Sequence, residues 1–274
     1  MIYVILSEEI KMTKVFVTGA SGNVGTTIIR WIQDKPGFEL AGGFCREAGE
    51  DLGTLAGIGE LGLKVAADLD SGLTAAAPDV VIDFSATPIL KQNLEIYLKH
   101  DLNVVVGTTG LTDEDLAPFK AEVARKGLRW AAIPNYGLGI NLVGEFIKKA
   151  REYYPYVSII DQHHANMANA PSGTAAQLAQ MAGGDLGEVK SAEVYPGVLG
   201  AHIDGVPVFS QRLPFPGPYS GHVVTLARKD EIIKLEVMDF TSDIYMDGVF
   251  LTAGRLAELP PGSFPTTLAE VMEG

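Results

Sequence analysis

The chain is poor in cysteine: Cys45 is the one such residue among 274. An internal disulfide is therefore excluded, and a reducing, cytoplasmic compartment fits. Cys45 itself reads as a small apolar residue. Basic charge is also scarce. Lys and Arg number 21 against 34 Asp and Glu, a net charge of −13, which argues against nucleic acid as a partner. No apolar run approaches the roughly 18 residues of a membrane-spanning helix, so no membrane role is expected. The opening MIYVILSEEIK is too short and too acidic for a signal peptide. Residues 1–11 are read as an extension or upstream start ahead of Met12, with no function assigned. There is no internal repeat and no low-complexity tract. The histidines show no metal-ligand spacing, so no metal is expected.

What is present is an ordinary folded composition, 47% apolar, long enough for two modest domains. KVFVT (14–18), FELAGGF (38–44), DVVIDF (79–84), NVVVG (103–107) and LRWAAIP (128–134) read as strands. Helical spacing separates them in TTIIRWI and from Pro88 to His100, and Thr112 with Asp115 gives a capping-box start. Residues 45–78 read as Gly-rich loop with a short strand near Leu63–Val65. Strands alternating with helices imply parallel pairing through βαβ crossovers. The pattern then changes. One amphipathic helix covers Ile140 to Ala150, the strand VSIID (157–161) leads into a histidine loop, and a helix runs from Thr174 to about Met181. VPVFSQRL, HVVTLAR and IIKLEVMDF alternate with period two, the last two joined by a turn at Lys229–Asp230. The expected fold is α/β: a Rossmann-like parallel-sheet domain at 1–135 and an α+β mixed-sheet domain at 136–245. A C-terminal segment, 246–274, returns a helix (Asp247 to about Leu259) to the first domain.

Gly19-Ala-Ser21-Gly22-Asn23-Val24-Gly25 lies between a strand and a helix. Glycines let backbone approach a pyrophosphate, and the helix N-terminus supplies free N–H groups and positive dipole. This predicts a dinucleotide-binding domain. After the second strand stands Phe44-Cys45-Arg46-Glu47. Arg46 can pair with a 2′-phosphate, which favours NADPH over NADH, while Glu47 can turn back to a ribose. The loops after two further strands carry Phe84 and Ser85, then Gly107, Thr108 and Thr109, where a nicotinamide would lie. A short-chain dehydrogenase needs a Tyr-x-x-x-Lys pair, and none of the nine tyrosines has a lysine four positions on.

HHANMANAPSGTAAQ places His163 and His164 before a helix start at Ser172, Gly173 and Thr174. Amides and a threonine hydroxyl there would converge on an anion. With VFVTGASGNVG, DVVIDFS, VVVGTTG, IPNYGLGINL and GVPVFSQRLP in this order, the chain resembles the 4-hydroxy-tetrahydrodipicolinate (dihydrodipicolinate) reductase family of lysine biosynthesis, over about residues 14–214. The resemblance implies an NAD(P)H-dependent reductase, hydride transfer to a carboxylated cyclic or conjugated imine, domains that close over the ligands, and a homotetramer built on the second domain. It adds Asn135 and Tyr136 to the cofactor residues, makes Asp161 the family acid and His163 and His164 the catalytic pair, and sets Ser172, Gly173, Thr174 and Thr108 on the substrate.

This chain departs from the family pattern at several positions. Met167 occupies the lysine position and Asn169 the aspartate position. Ser242-Asp243 stands where an arginine is expected, Asn23 replaces an arginine and Cys45 the ribose acid. A thioether neither donates a proton nor neutralises charge. Three expectations follow: Arg212 substitutes as the cation, His164 acts alone as acid, or the substrate is a less anionic imine of a divergent oxidoreductase. A non-catalytic dinucleotide-binding protein is the remaining alternative.

Overall fold

The computed structural model describes residues 12–167, 169–183, 191–214 and 219–273; the reading of residues 1–11 lies outside them. The chain divides into two compact units. One consists of the chain up to Tyr136 and from Met246 on, the other of Gly137–Tyr245.

The first unit begins with β1 (Thr13–Thr18), α1 (Asn23–Ile32) and β2 (Phe38–Phe44). Two short helices follow, α2 (Leu52–Ala56) and α3 (Leu69–Ala76), then β3 (Val80–Asp83), α4 (Thr87–Lys99), β4 (Asn103–Val106), α5 (Asp113–Lys126) and β5 (Trp130–Ala132). The strands form one parallel sheet in the order β2-β1-β3-β4-β5. Its inner strands are continuous apolar runs because helices cover both faces. Phe16, Val81, Val104 and Trp130 lie in the core with Leu90, Leu94 and Tyr97 of α4. The expected capping box is present: Thr112 Oγ1 accepts from Asp115 N while the Asp115 carboxylate accepts from Thr112 N.

Residues 45–78 hold more order than expected. Asp51 starts α2 by accepting from Gly53 N and Thr54 N, and Asp68 starts α3 by accepting from Ser71 N. Glycine-rich composition hid both helices, which are short and stabilised by capping and packing rather than propensity. The strand expected near Leu63 reduces to a single bridge, Asp51 to Lys64.

The second unit contains α6 (Leu138–Ala150), β6 (Tyr156–His164), α7 (Gly173–Ala182), β7 (Ala201–Ile203), β8 (Val206–Leu213), β9 (Ser220–Arg228) and β10 (Glu231–Asp239). The sheet order is β10-β9-β6-β8-β7, with β6 and β8 parallel and the other pairs antiparallel. α6 and α7 cover one face, where Ile147, Val157, Ile159, Leu178, Val208 and Val224 form the core. The chain then re-enters the first unit through α8 (Met246–Arg255) and α9 (Leu268–Glu273). α8 stops short of the expected Leu259.

Candidate functional site

In the first unit, the turn from β1 to α1 is shaped by two glycines. Gly19 has φ +83°, and a β-carbon there would sit 2.2 Å from the Phe84 carbonyl oxygen. A β-carbon on Gly25 would sit 2.1 Å from the Gly19 carbonyl oxygen. Only glycine therefore lets this turn close against β3 and against its own helix. Gly22 caps α1 with no side-chain hydrogen bond and, like Asn23, is exposed, so the first-turn amides keep room for an anion. Ser21 and Val24 are half-buried beside them. A cleft of about 430 Å³ opens here, lined among others by Gly19, Ser21, Gly22, Cys45, Arg46, Phe84 and Ser85.

Arg46 is 93% exposed at the cleft edge. Glu47 is instead drawn to the glycine turn, where hydrogen bonds from Ser21 and then Cys45 hold its carboxyl below the usual range. The outer edge of the Phe84 ring packs against Gly107, where a β-carbon would come within 2.1 Å of it. Tyr136 packs against Phe84, ring centres 5.9 Å apart, and donates its hydroxyl to the Val106 carbonyl. It is buried, and that burial pushes its phenol up. The Thr109 carbonyl accepts from Thr87 Oγ1 at 2.7 Å, and Asn135 is half-buried.

Asp83 organises these loops. It is fully buried and accepts from Ser85 N (2.8 Å), Thr108 Oγ1 (2.9 Å), Tyr97 Oη (2.7 Å) and Asn93 Nδ2 (3.2 Å). Burial, then the Asp83 charge, raises the Tyr97 phenol well above its ordinary value. Sequence reading missed Asp83 and Tyr97, since each sits in what reads as plain core. An acid ending an otherwise apolar strand was the available signal.

In the second unit, strand register assembles the site. β6 runs through both histidines, which therefore belong to a strand and not to the expected loop; His163 pairs with Ser220 and Arg212, and His164 with Leu213. Alternation sends the two side chains to opposite faces. His163 shares the helix-covered face with Asp161 and their cross-strand partners Ser210, Arg212 and His222. His164 lies on the other face, half-buried, with a buried Nδ1 that has no hydrogen-bond partner among the described residues. Met167 follows in the connecting loop, half-buried, its N–H donated to the His164 carbonyl.

Asp161 is the hub. One carboxylate oxygen accepts from Ser172 N (3.0 Å), Ser210 Oγ (3.1 Å) and both terminal nitrogens of Arg212 (3.2 Å each). The other lies 2.9 Å from His163 Nδ1 and 3.7 Å from His222 Nε2. Burial by itself would raise this carboxyl. The His163 and Ser172 contacts outweigh it and hold the group well below the usual range. His222 is pushed down to about 4, first by burial and then by the competing His163 charge, against the pull of Asp161. Asp161, His163 and His222 present potential ligand atoms within 4.8 Å of one another, a cluster that spacing along the chain did not reveal. Arg212 already supplies positive charge to this carboxylate, so we read the group as a neutralised hydrogen-bonding network.

The N-terminus of α7 abuts the same network. Ser172 Oγ accepts from Ala175 N and lies 3.3 Å from His222 Nε2. Gly173 is exposed, with nothing among the described residues within 4 Å of a notional β-carbon, and Thr174 is half-buried. The structure thus brings Ser172, Gly173, Arg212 and His163 together, adds His222 and Ser210, and sets His164 apart.

Family models of the dihydrodipicolinate reductase N-terminus and C-terminus match residues 13–136 and 139–271. The chain belongs to the dihydrodipicolinate reductase family. It is 34% identical over 262 residues to the 4-hydroxy-tetrahydrodipicolinate reductase of Rippkaea orientalis, covering 89% of this chain and 93% of that one. For the Listeria welshimeri enzyme of the same name the identity is 30%, covering 90% and 95%. Among solved structures, a dipicolinate-bound dihydrodipicolinate reductase from a Paenisporosarcina species superposes with a TM-score of 0.81 at 25% identity, over 94% of this chain and 99% of that one. An amine dehydrogenase from Mycobacterium smegmatis shares the fold at 15% identity, with a TM-score of 0.64 over 92% and 94%. This dihydrodipicolinate reductase family is one of oxidoreductases, and its two-part organisation is the one described above.

Proposed function

We propose that this oxidoreductase uses NAD(P)H to reduce a small cyclic imine carrying a carboxylate, the class of reaction for which its relatives in lysine biosynthesis are named. The observation that supports it most is the α7 N-terminus, open at Gly173, beside a nine-tenths-buried His163 held by an ionised Asp161.

In this reading the first unit is the dinucleotide-binding domain and the second the substrate-binding and oligomerisation domain of a cytoplasmic homotetramer. Gly19, Ser21, Gly22, Asn23, Val24 and Gly25 hold the pyrophosphate, a fit supported by the β-carbon clashes that keep the turn tight. Phe84, Ser85, Gly107, Thr109, Asn135 and Tyr136 shape the surroundings of the nicotinamide, with Thr108 on the substrate side. When bound, the reduced nicotinamide supplies the hydride. Ser172, Gly173 and Thr174 hold the substrate carboxylate through backbone N–H groups and dipole. Asp161 fixes His163 with Nδ1 toward the carboxylate, which leaves Nε2 to deliver the proton that the imine nitrogen takes up. Arg46, exposed while Glu47 is occupied by Ser21, reads a 2′-phosphate and favours NADPH.

Steady-state oxidation of NADPH and NADH in the presence of carboxylated cyclic imines tests this reading. Turnover with at least one such imine, faster with NADPH, is expected. Tight cofactor binding with no imine reduced would instead favour a non-catalytic dinucleotide-binding protein.

A further inference from the structure

His222 is a buried side chain that the reduction described above leaves without a task. It stands directly opposite Asp161 across β9 and β6 and is 2% exposed. Its Nε2 lies between two groups, 3.3 Å from Ser172 Oγ and 3.7 Å from Asp161 Oδ1. Its ring meets the His163 ring edge-on, centres 5.6 Å apart. A leucine would fill this volume without burying a polar ring. What the imidazole adds lies at Nε2.

The two oxygens of Asp161 face different partners. Oδ2 takes the Ser172 amide and the Arg212 guanidinium, which ties β6 to the start of α7 and to β8. Oδ1 faces the two imidazoles, with His163 Nδ1 at 2.9 Å and His222 Nε2 behind it. Ser172 joins the two sides. Its amide and its hydroxyl both help to hold Asp161 ionised, and its hydroxyl oxygen accepts from Ala175 N as the cap of α7.

These contacts select one tautomer of His222. With its hydrogen on Nε2, the ring donates to Ser172 Oγ and turns a positive edge toward Asp161 Oδ1, while the Ser172 hydrogen goes on to Asp161. With its hydrogen on Nδ1, a donor would be buried with no partner among the described residues, and a lone pair would face the carboxylate. An orphaned buried N–H is the costlier defect, so the Nε2–H form is favoured. Burial, first of all, pushes His222 down to about 4. The ring therefore stays uncharged near neutrality and does not compete as a cation with His163 for the carboxylate.

We propose that His222, as the Nε2–H tautomer, is a positioning residue for the reduction: its bond to Ser172 holds the anion-binding end of α7 and the Asp161–His163 pair in one geometry. Substrate carboxylate and proton donor then keep a fixed separation. His222 acts through Ser172 and not on the substrate. This rests on the imine-reductase reading above and adds a residue to it.

The tautomer is read on the unaltered protein by ¹⁵N magic-angle-spinning NMR after histidine labelling, the His222 signals being those lost in His222→Gln. A hydrogen on Nε2 and a bare Nδ1 are expected near neutral pH. The role is read by steady-state reduction, with NADPH, of the carboxylated cyclic imine that is turned over fastest. His222→Leu should lower kcat/KM for that imine about tenfold while the cofactor Kd holds. His222→Gln, whose amide nitrogen can stand in for Nε2, should return to within about threefold of the parent. In a Ser172→Ala background, His222→Leu should cost less than about twofold more, because the link it removes is already gone. A hydrogen on Nδ1, parent-like kinetics in His222→Leu, equal losses in the Leu and Gln variants, or full additivity with Ser172→Ala overturns the role of His222 and leaves the reductase reading standing. An unaltered protein that reduces no such imine overturns both.

Discussion

Each unit buries one aspartate completely near the C-terminal end of an inner strand, Asp83 in β3 and Asp161 in β6, and the two are satisfied in opposite ways. Asp83 is surrounded by neutral donors: an amide N–H, two hydroxyls and a carboxamide. Asp161 faces a guanidinium, two imidazoles, a serine hydroxyl and the first amide of a helix. The first arrangement ties two loops to one carboxylate through uncharged groups, which suits the cofactor-holding role proposed for those loops. The second consists of groups that exchange protons or balance charge, which suits the proton delivery proposed for His163. The lesson is that a buried carboxylate acquires its role from what it accepts from, and that difference can be tested position by position.

The largest effect is expected at Asp161. Asp161→Ala strands the Arg212 guanidinium without its partner and should cost about 3–5 kcal/mol, read by denaturant unfolding. Asp161→Leu combined with Arg212→Met should recover much of that loss without restoring turnover. If the single variant unfolds like the parent, the hub described here is not one.

The next effect is read by pH around Asp161. His222 stays neutral in the folded protein down to about 4, whereas unfolded it would take up a proton near 6.5. The unfolded state therefore binds more protons in that window, so stability falls as pH drops from 6.5 to 4, by about 3 kcal/mol. Asp161, whose folded value is depressed, keeps its contribution there and loses it only in stronger acid. His222→Gln should flatten the decline between pH 6.5 and 4; an unchanged slope would contradict the assignment.

At Asp83 a smaller change is expected. Asp83→Asn places amide hydrogens among donors and should cost about 1–3 kcal/mol. Its main reading should be weaker cofactor binding, because Ser85 and Thr108 lose their anchor, with kcat nearly kept. A loss confined to kcat would erase the contrast with Asp161. Smallest in stability is Arg46→Ala, which should leave unfolding unchanged and reduce the preference for NADPH over NADH by about tenfold.

Much of this was legible in the residues. The apolar runs of β3 and β4, the alternation of β9 and β10, the Thr112–Asp115 cap and the strand–glycine–helix turn each express one local rule, so each could be read locally. The polar hub could not. His163 and His164 lack the apolar alternation that marks a strand, and they read as loop. His222 reaches Asp161 only through the register of β9 on β6, which no local pattern encodes. The commitment of Arg212 was hidden for the same reason, since a cation looks free until its partners are placed. Helices α2 and α3 were masked by glycine and by lengths too short for periodicity to register.

The central claim is tested most directly by single turnover with NADPH deuterated at the transferring position of C4, the product being followed by mass spectrometry. Deuterium should appear on the former imine carbon of a carboxylated cyclic imine, and His163→Gln should slow its arrival by about 10²-fold or more while the cofactor Kd holds. Cofactor bound at full occupancy with no deuterium in any such product would contradict the account.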